Sequence, residues 1–120
     1  MQTSNNAYQK KGLWVRDKKK IRLVPFETIT HIHHCNGLSE VRMGRDLLKK
    51  LRMPLCNLEK MMPENRFFRT HRNYIINKSF IEEYSAEEPQ VSFAGGQKIP
   101  VSRRKKKQFE VFLNASCSTT

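Results

Sequence analysis

Phe67-Phe68-Arg69-Thr70-His71-Arg72-Asn73-Tyr74-Ile75-Ile76-Asn77 is the stretch on which the fold turns. Its aromatic and β-branched residues favour extended chain over helix. The whole run reads as one extended segment in which apolar anchors alternate with Arg69, His71, Arg72 and Asn73. Phe67, Tyr74, Ile75 and Ile76 are expected in the core, with His71 and Asn77 satisfying backbone groups. Arg72 is expected outside. Arginine and asparagine are the side chains best shaped to fork onto guanine and adenine edges.

Toward the N-terminus the same short-strand grammar continues. Leu13 and Val15 share one face, Trp14 and Arg16 the other. Asp17-Lys18-Lys19-Lys20 is a polar turn, and Ile21 and Leu23 open a second strand limited by Pro25. Thr28 to His34 reads as a strand, Asn36-Gly37 as a hairpin turn, and Leu38 to Met43 as the return. After Gly44-Arg45-Asp46 comes Leu47 to Met53, with Leu47, Leu51 and Met53 on one face and Lys50 and Arg52 pointing away. Pro54 suits the first position of a helix. Leu55, Leu58 and Met62 give that helix its stripe, and Pro63 stops it.

Toward the C-terminus, Phe80 to Tyr84 and Gln90 to Phe93 read as strands. Gly95-Gly96 turns the chain into Lys98 to Val101. Ser102 is placed to cap a last helix with an apolar face of Phe109, Phe112 and Leu113. The expectation is a mainly β domain of short antiparallel sheets with two short α-helices over residues 12–113. Residues 1–11 read as a tail or linker remnant, and 114–120 as a second tail.

Charge narrows the partners. The 23 Lys and Arg outnumber the 11 Asp and Glu, for a formal net charge of +12 and a pI near 10.0. A field of that strength attracts polyanions. No basic amphipathic helix with a broad aromatic face supports a membrane surface as the alternative. No run is long and apolar enough for a membrane span, and the N-terminus has no signal-peptide core, so the expected compartment is the cytoplasm. Cys35, Cys56 and Cys117 are odd in number and lack C-x-x-C spacing, which argues for free thiols.

Within that charge, Arg103-Arg104-Lys105-Lys106-Lys107 stands out. Cations in the first turn of a helix are unfavourable by a few tenths to about 1 kcal/mol each. Local stability would not select them, whereas phosphates meeting both the free N–H groups and the side chains would. Lys18 and Lys19 extend the basic surface.

His31 and His33 would face one side of a strand. Two imidazoles lack the third and fourth ligands that a zinc site requires, and neither metal nor cofactor is expected. The acidic run Glu82, Glu83, Glu87 and Glu88 reads as a solvated face turned away from the polyanion. No G-x-S-x-G, P-loop or H-E-x-x-H motif is present, so an enzyme is not expected.

The stretch from Phe67 to Asn77, followed by Ile81 and then by Gly95-Gly96-Gln97-Lys98-Ile99-Pro100-Val101-Ser102-Arg103-Arg104, resembles the signature of LytTR DNA-binding domains. That signature runs "F-x-R-x-H-R-S-Y-I-V-N", then "I", then "G-x-x-L-P-V-S-R-R". Trp14-Val15 and Pro25 to Ile32 resemble the family's opening strands. The likeness covers about residues 12–113. Asn73 stands where the family has serine, and His33-His34 where it has a glutamate after the third strand.

The resemblance implies three antiparallel sheets with short helices, and double-stranded DNA read by loops in successive major grooves, often on paired direct repeats. It implies base contacts from Ser39, Arg72 and Arg104. Backbone contacts are expected from Arg69, Asn73, Arg103, Lys105, Lys106, Lys107, Lys18 and Lys19. It further implies an output domain of a bacterial transcription regulator, either stand-alone or joined to a receiver domain in a longer parent, with a dimer possible on DNA. Two rivals stand beside it: an RNA-binding protein of ribosomal type, and a metal-dependent sensor or enzyme built on the histidines.

Overall fold

Along β1 (Gly12–Asp17), Leu13 and Val15 turn inward while Trp14 and Arg16 face out. β1 pairs antiparallel with β2 (Lys20–Pro25) from Gly12 opposite Pro25 to Asp17 opposite Lys20. The computed structural model describes residues 11–114. The tails expected over 1–11 and 114–120 lie outside the described residues except for Lys11 and Asn114, and Cys117 lies outside them as well.

A 3-10 turn, Phe26–Thr28, separates this hairpin from β3 (His31–Cys35). The strand expected from Thr28 onward therefore starts three residues later, because Ile29 and Phe26 close the turn through an amide-to-carbonyl bond. β4 (Leu38–Met43) returns across the Asn36-Gly37 turn. Both turn residues have positive φ, 53° and 78°, as a two-residue hairpin of the twist-matching type requires.

β5 (Asp46–Leu51) then pairs with β4. The register breaks there: Leu47 faces Arg42 but Lys49 faces Val41. The extra residue, Leu48, bulges out of the ladder and swaps which leucine turns inward. Leu48, not Leu47, packs on the core with Leu51 and Met53, and Leu47 is exposed.

α1 (Leu55–Lys60) follows Pro54, which sits one position earlier than expected, as the cap. The helix ends before Met62, which is nevertheless buried beside Leu55 and Leu58.

The stretch from Phe67 to Asn77 is two strands rather than one. β6 (Phe67–His71) and β7 (Tyr74–Asn77) pair antiparallel about Arg72-Asn73, with His71 opposite Tyr74. Neither turn residue has positive φ. A two-residue turn of ordinary φ splays its strands, and the register break between Phe68 and His71 accommodates the misfit. Alternation by itself gave no sign of this turn, because Arg72-Asn73 lacks the glycine that usually marks one. β7 docks on β3, giving a five-stranded sheet ordered β5-β4-β3-β7-β6.

A 3-10 turn at Lys78–Phe80 shifts the next strand one residue on, to β8 (Ile81–Ser85). With β9 (Gln90–Phe93) and β10 (Lys98–Pro100) it forms a third sheet, ordered β10-β9-β8. α2 (Lys106–Asn114) closes the chain. Its Phe109 is fully buried with Ile76, Val91, Phe93, Ile99 and Val101. Two bonds clasp the helix: Tyr84 Oη donates to Glu110 at 2.8 Å, and Lys78 Nζ donates to the Phe112 carbonyl at 2.7 Å. Burial and the Glu110 carboxylate push the Tyr84 phenol up to about 12.

The two cores meet at β7, where Ile75 packs with the first and Ile76 with the second. Asn77 ends that strand fully inside. It donates to the Phe26 and Ile29 carbonyls and accepts from the Ser79 amide.

His31 is also buried, beside the Phe93 ring and 2.9 Å from the Thr30 hydroxyl. Burial, then the nearby Arg42 and His33, lower its pKa to about 4, with Glu40 acting the other way. The unfolded chain therefore binds a proton between pH 6.5 and 4 that the folded chain refuses. The stabilisation is complete above pH 6.5 and is lost as pH falls toward 4, by on the order of 2–3 kcal/mol. Urea midpoints measured across this window should fall with pH. In His31→Phe that slope should flatten, and an unchanged slope would assign the acid sensitivity to other groups.

Candidate nucleic-acid interface

Three segments converge at one end of the five-stranded sheet. The β3–β4 turn and the β6–β7 turn lie side by side, joined where the His34 amide donates to the Asn73 carbonyl at 2.8 Å. The segment entering α2 reaches the same end, because the Ser102 amide donates to the Thr70 carbonyl at 2.7 Å. Backbone bonds, not flexible side chains, thus set the spacing of Asn36, Arg72 and the Arg103–Lys107 run.

Arg72 is exposed at the β6–β7 turn. Its carbonyl accepts from Arg69 Nη2 at 2.8 Å, and Arg69 also lies 3.9 Å from Glu59. Arg69, expected on the DNA backbone, therefore braces the turn that carries Arg72. Asn73 is similarly engaged. Its carbonyl holds His34, and its amide donates to His71 Nδ1 at 3.2 Å. Burial, then Arg72, lower the His71 pKa, which favours the neutral ring that this acceptor role needs.

Ser102 is extended, with φ −65° and ψ 143°, but its side chain makes no capping bond. Instead of entering an α-helix directly, the chain makes a 3-10 turn at Arg103–Lys105. The five cations are thereby split. Arg103 and Arg104 are exposed on the 3-10 turn, and Lys105 lies with its ammonium 5.8 Å from the Phe68 ring centre. Lys106 is half-buried and Lys107 exposed in the first turn of α2.

Ser39 corrects an expectation. It is fully buried, and its hydroxyl donates to the Met53 carbonyl and meets His34 Nδ1 at 2.9 Å. A hydroxyl so engaged anchors the hairpin to the chain after β5 and faces no solvent. Asn36 and Gly37 are both exposed at the hairpin tip, and Asn36 is the one of the two with a polar side chain. The Asn-Gly pair carried that signal, since the central residues of such a turn project from the ladder.

Lys18 and Lys19 are exposed at the β1–β2 turn. Asp17 ties that turn to the β5 edge through Lys49 and Arg22, each at 3.5 Å. Lys49 and then Arg22 hold the Asp17 carboxyl below its usual value. Arg22 also donates to the Leu48 carbonyl at 3.0 Å. The two basic groups thus flank opposite edges of the sheet, the hairpin at β5 and the Ser102 segment at β6. Four strand spacings, about 19 Å, separate these edges.

Beside the β3–β4 turn lies a second arrangement. His33, Cys35 and Glu40 bring one nitrogen, one sulfur and one oxygen within 4.8 Å of one another. Burial, then Glu40, push the Cys35 thiol up. Glu40 lies across the Asn36-Gly37 turn from the histidines, and the hairpin register sets it opposite His33 as a third ligand. Cys35 and Cys56 are both free thiols.

A family model of the LytTr DNA-binding domain matches residues 19–114. The Sensory transduction protein LytT of Enterococcus faecalis is 34% identical over 70 residues, covering 56% of this chain. The chain spans 29% of the length of that relative. Among solved structures, a LytTr DNA-binding domain from Bacillus cereus shares the fold with a TM-score of 0.73 at 21% identity, covering 87% of this chain and 97% of that one. No described helix is long and apolar enough to cross a membrane.

Proposed function

The chain belongs to the family of LytTR DNA-binding domains, and from that premise we propose that it reads a specific duplex sequence through the three segments at one end of its central sheet. Arg72 and Arg104 reach base edges, with Asn36 in the place expected of Ser39. Arg103, Lys105, Lys106 and Lys107 hold the adjacent phosphates, and Lys18 and Lys19 hold phosphates at the far edge. Arg69 and Asn73 position the Arg72 turn. The domain occupies residues 12–113, binds paired direct repeats, dimerises on them, and serves as the cytoplasmic output of a transcription regulator whose parent carries a receiver domain. It performs no catalysis.

The observation that carries this reading is the backbone-fixed convergence of exposed Arg72 and Arg104. Both sit at the same sheet end, joined through β6 by the Ser102–Thr70 bond. Loop arginines held this way can enter a major groove, whereas an RRM-type RNA reader requires exposed aromatic pairs on a sheet. Here Phe67 and Phe93 are buried, and Tyr74 is stacked under His33.

Binding to duplex DNA titrated at several salt concentrations tests the phosphate contacts. The logarithm of the association constant should fall linearly with the logarithm of salt, by about 0.9 per phosphate held. A flat dependence removes the backbone contacts, and stronger competition by single-stranded RNA than by duplex DNA favours the RNA reading.

A further inference from the structure

We propose that His33, Cys35 and Glu40 form a binding site for a divalent transition metal of the zinc class, clipping β3 to β4 beside the Asn36-Gly37 turn. His33 and Cys35 are two apart on one strand and so share a face. Glu40 is directly opposite His33 and diagonal to Cys35, which is paired with Leu38. The hairpin therefore gathers all three side chains over one patch of sheet, where their ligand atoms lie within 4.8 Å. Metal bonds of about 2.0–2.3 Å place tetrahedral ligand atoms about 3.3–3.8 Å apart. Small side-chain rotations close that gap without moving the strands.

The surroundings favour one class of ion. His33 stacks flat on Tyr74, with centroids 4.4 Å apart and planes within 3°. That contact fixes the imidazole plane before any metal arrives. Both Arg42 contacts fall on Glu40 Oε1, at 2.7 and 3.1 Å. The carboxylate can keep that partner on one oxygen and ligate through the other, a supporting arrangement that metal sites commonly use.

The cleft beside the cluster is lined by Glu40, Arg42, Arg45, Tyr74 and Lys98. Its cations disfavour ions held by charge alone, such as calcium or magnesium. They leave the advantage with metals that bond to thiolate and imidazole. Binding releases the Cys35 proton to solvent. The thiolate and carboxylate then neutralise the ion, and the fourth position stays open to water.

The test titrates protein carrying Cys56→Ser and Cys117→Ser, in which Cys35 is the sole thiol. One equivalent of cobalt(II) should bind with a thiolate-to-metal charge-transfer band and tetrahedral ligand-field bands, and zinc should displace it. Adding Cys35→Ser should abolish the charge-transfer band. His33→Phe, which keeps a ring on Tyr74, and Glu40→Gln should each weaken zinc binding by at least the roughly 10- to 100-fold that loss of a mere supporting partner costs, with thermal melts showing each variant folded. Failure of the parent variant to bind cobalt or zinc overturns the site, as does equal zinc affinity in the folded Cys35→Ser variant. DNA plays no part in the readout, so the outcome is independent of the DNA-binding reading.

Discussion

Phe109→Ala is expected to remove about 3–5 kcal/mol of stability. Phe109 is the fully buried residue of α2. Its ring meets Phe68 edge-on at 5.3 Å and Tyr84 at 5.1 Å, with Phe112 at 5.9 Å. The side chain thus joins the helix to β6 and to the third sheet, and truncation leaves a void lined from several elements. Those elements are held by ladders and cannot all collapse into it. Domains are stable by about 5–15 kcal/mol, so a large share of the total is at risk. At about 4–8 °C per kcal/mol for a domain approaching this size, the melting temperature should drop by at least about 12 °C. Val111→Ala is the control on the same helix. Val111 is 69% exposed, and its truncation should stay within about 0.5 kcal/mol. Equal melting of the two variants would mean that α2 is not anchored through Phe109.

The second large effect separates reading from gripping. Arg104→Ala should weaken the cognate duplex much more than a scrambled one. An arginine forked onto guanine supplies about 1–3 kcal/mol of discrimination, a ratio of roughly 5- to 150-fold. Lys107 is exposed in the first turn of α2, beyond the 3-10 turn that carries Arg104. Lys107→Ala should weaken both duplexes by a similar factor and lower the salt slope by about one. Neither change should reduce thermal stability much, because neither residue is buried, and removing a cation from a helix N-terminus is mildly favourable. Binding of both variants to both duplexes at two salt concentrations distinguishes the roles. A wild-type ratio in Arg104→Ala would make that residue a phosphate clamp.

The legible part of this fold followed from local physics. Asn36-Gly37 announced its hairpin because few other pairs accept two positive φ values. Leu13 and Val15 announced their face by alternation, and Phe109 announced the core side of α2. The misreadings arose where tertiary pairing overrides local pattern. The Arg72-Asn73 turn has no glycine or proline, and only the pairing of His71 with Tyr74 reveals it. The bulge at Leu48 exchanged two adjacent leucines that hydropathy cannot distinguish.

The candidate site divides the same way. The exposure of Arg72 and Arg104 was legible because nothing in the core needs an arginine there. Ser39 was misread because its partners, the Met53 carbonyl and His34, become neighbours only when β3, β4 and the chain after β5 come together. Arg69 and Asn73 were assigned to phosphates on charge and polarity; that Arg69 also reaches the Arg72 carbonyl, and that the Asn73 main chain bonds His71 and His34, follows only from the folded hairpins. The cluster of His33, Cys35 and Glu40 stayed hidden because strand register, which composition does not encode, supplies its third member.

The turns at one end of the sheet are proposed to read a particular duplex sequence. Selection of bound DNA from a random duplex pool, followed by footprinting on the recovered sequence, tests that readout most directly. One enriched motif is expected, recovered as a direct repeat and protected at both copies, with guanines in the protected bases as partners for Arg72 and Arg104. A pool that binds and yet emerges without any common motif would contradict it.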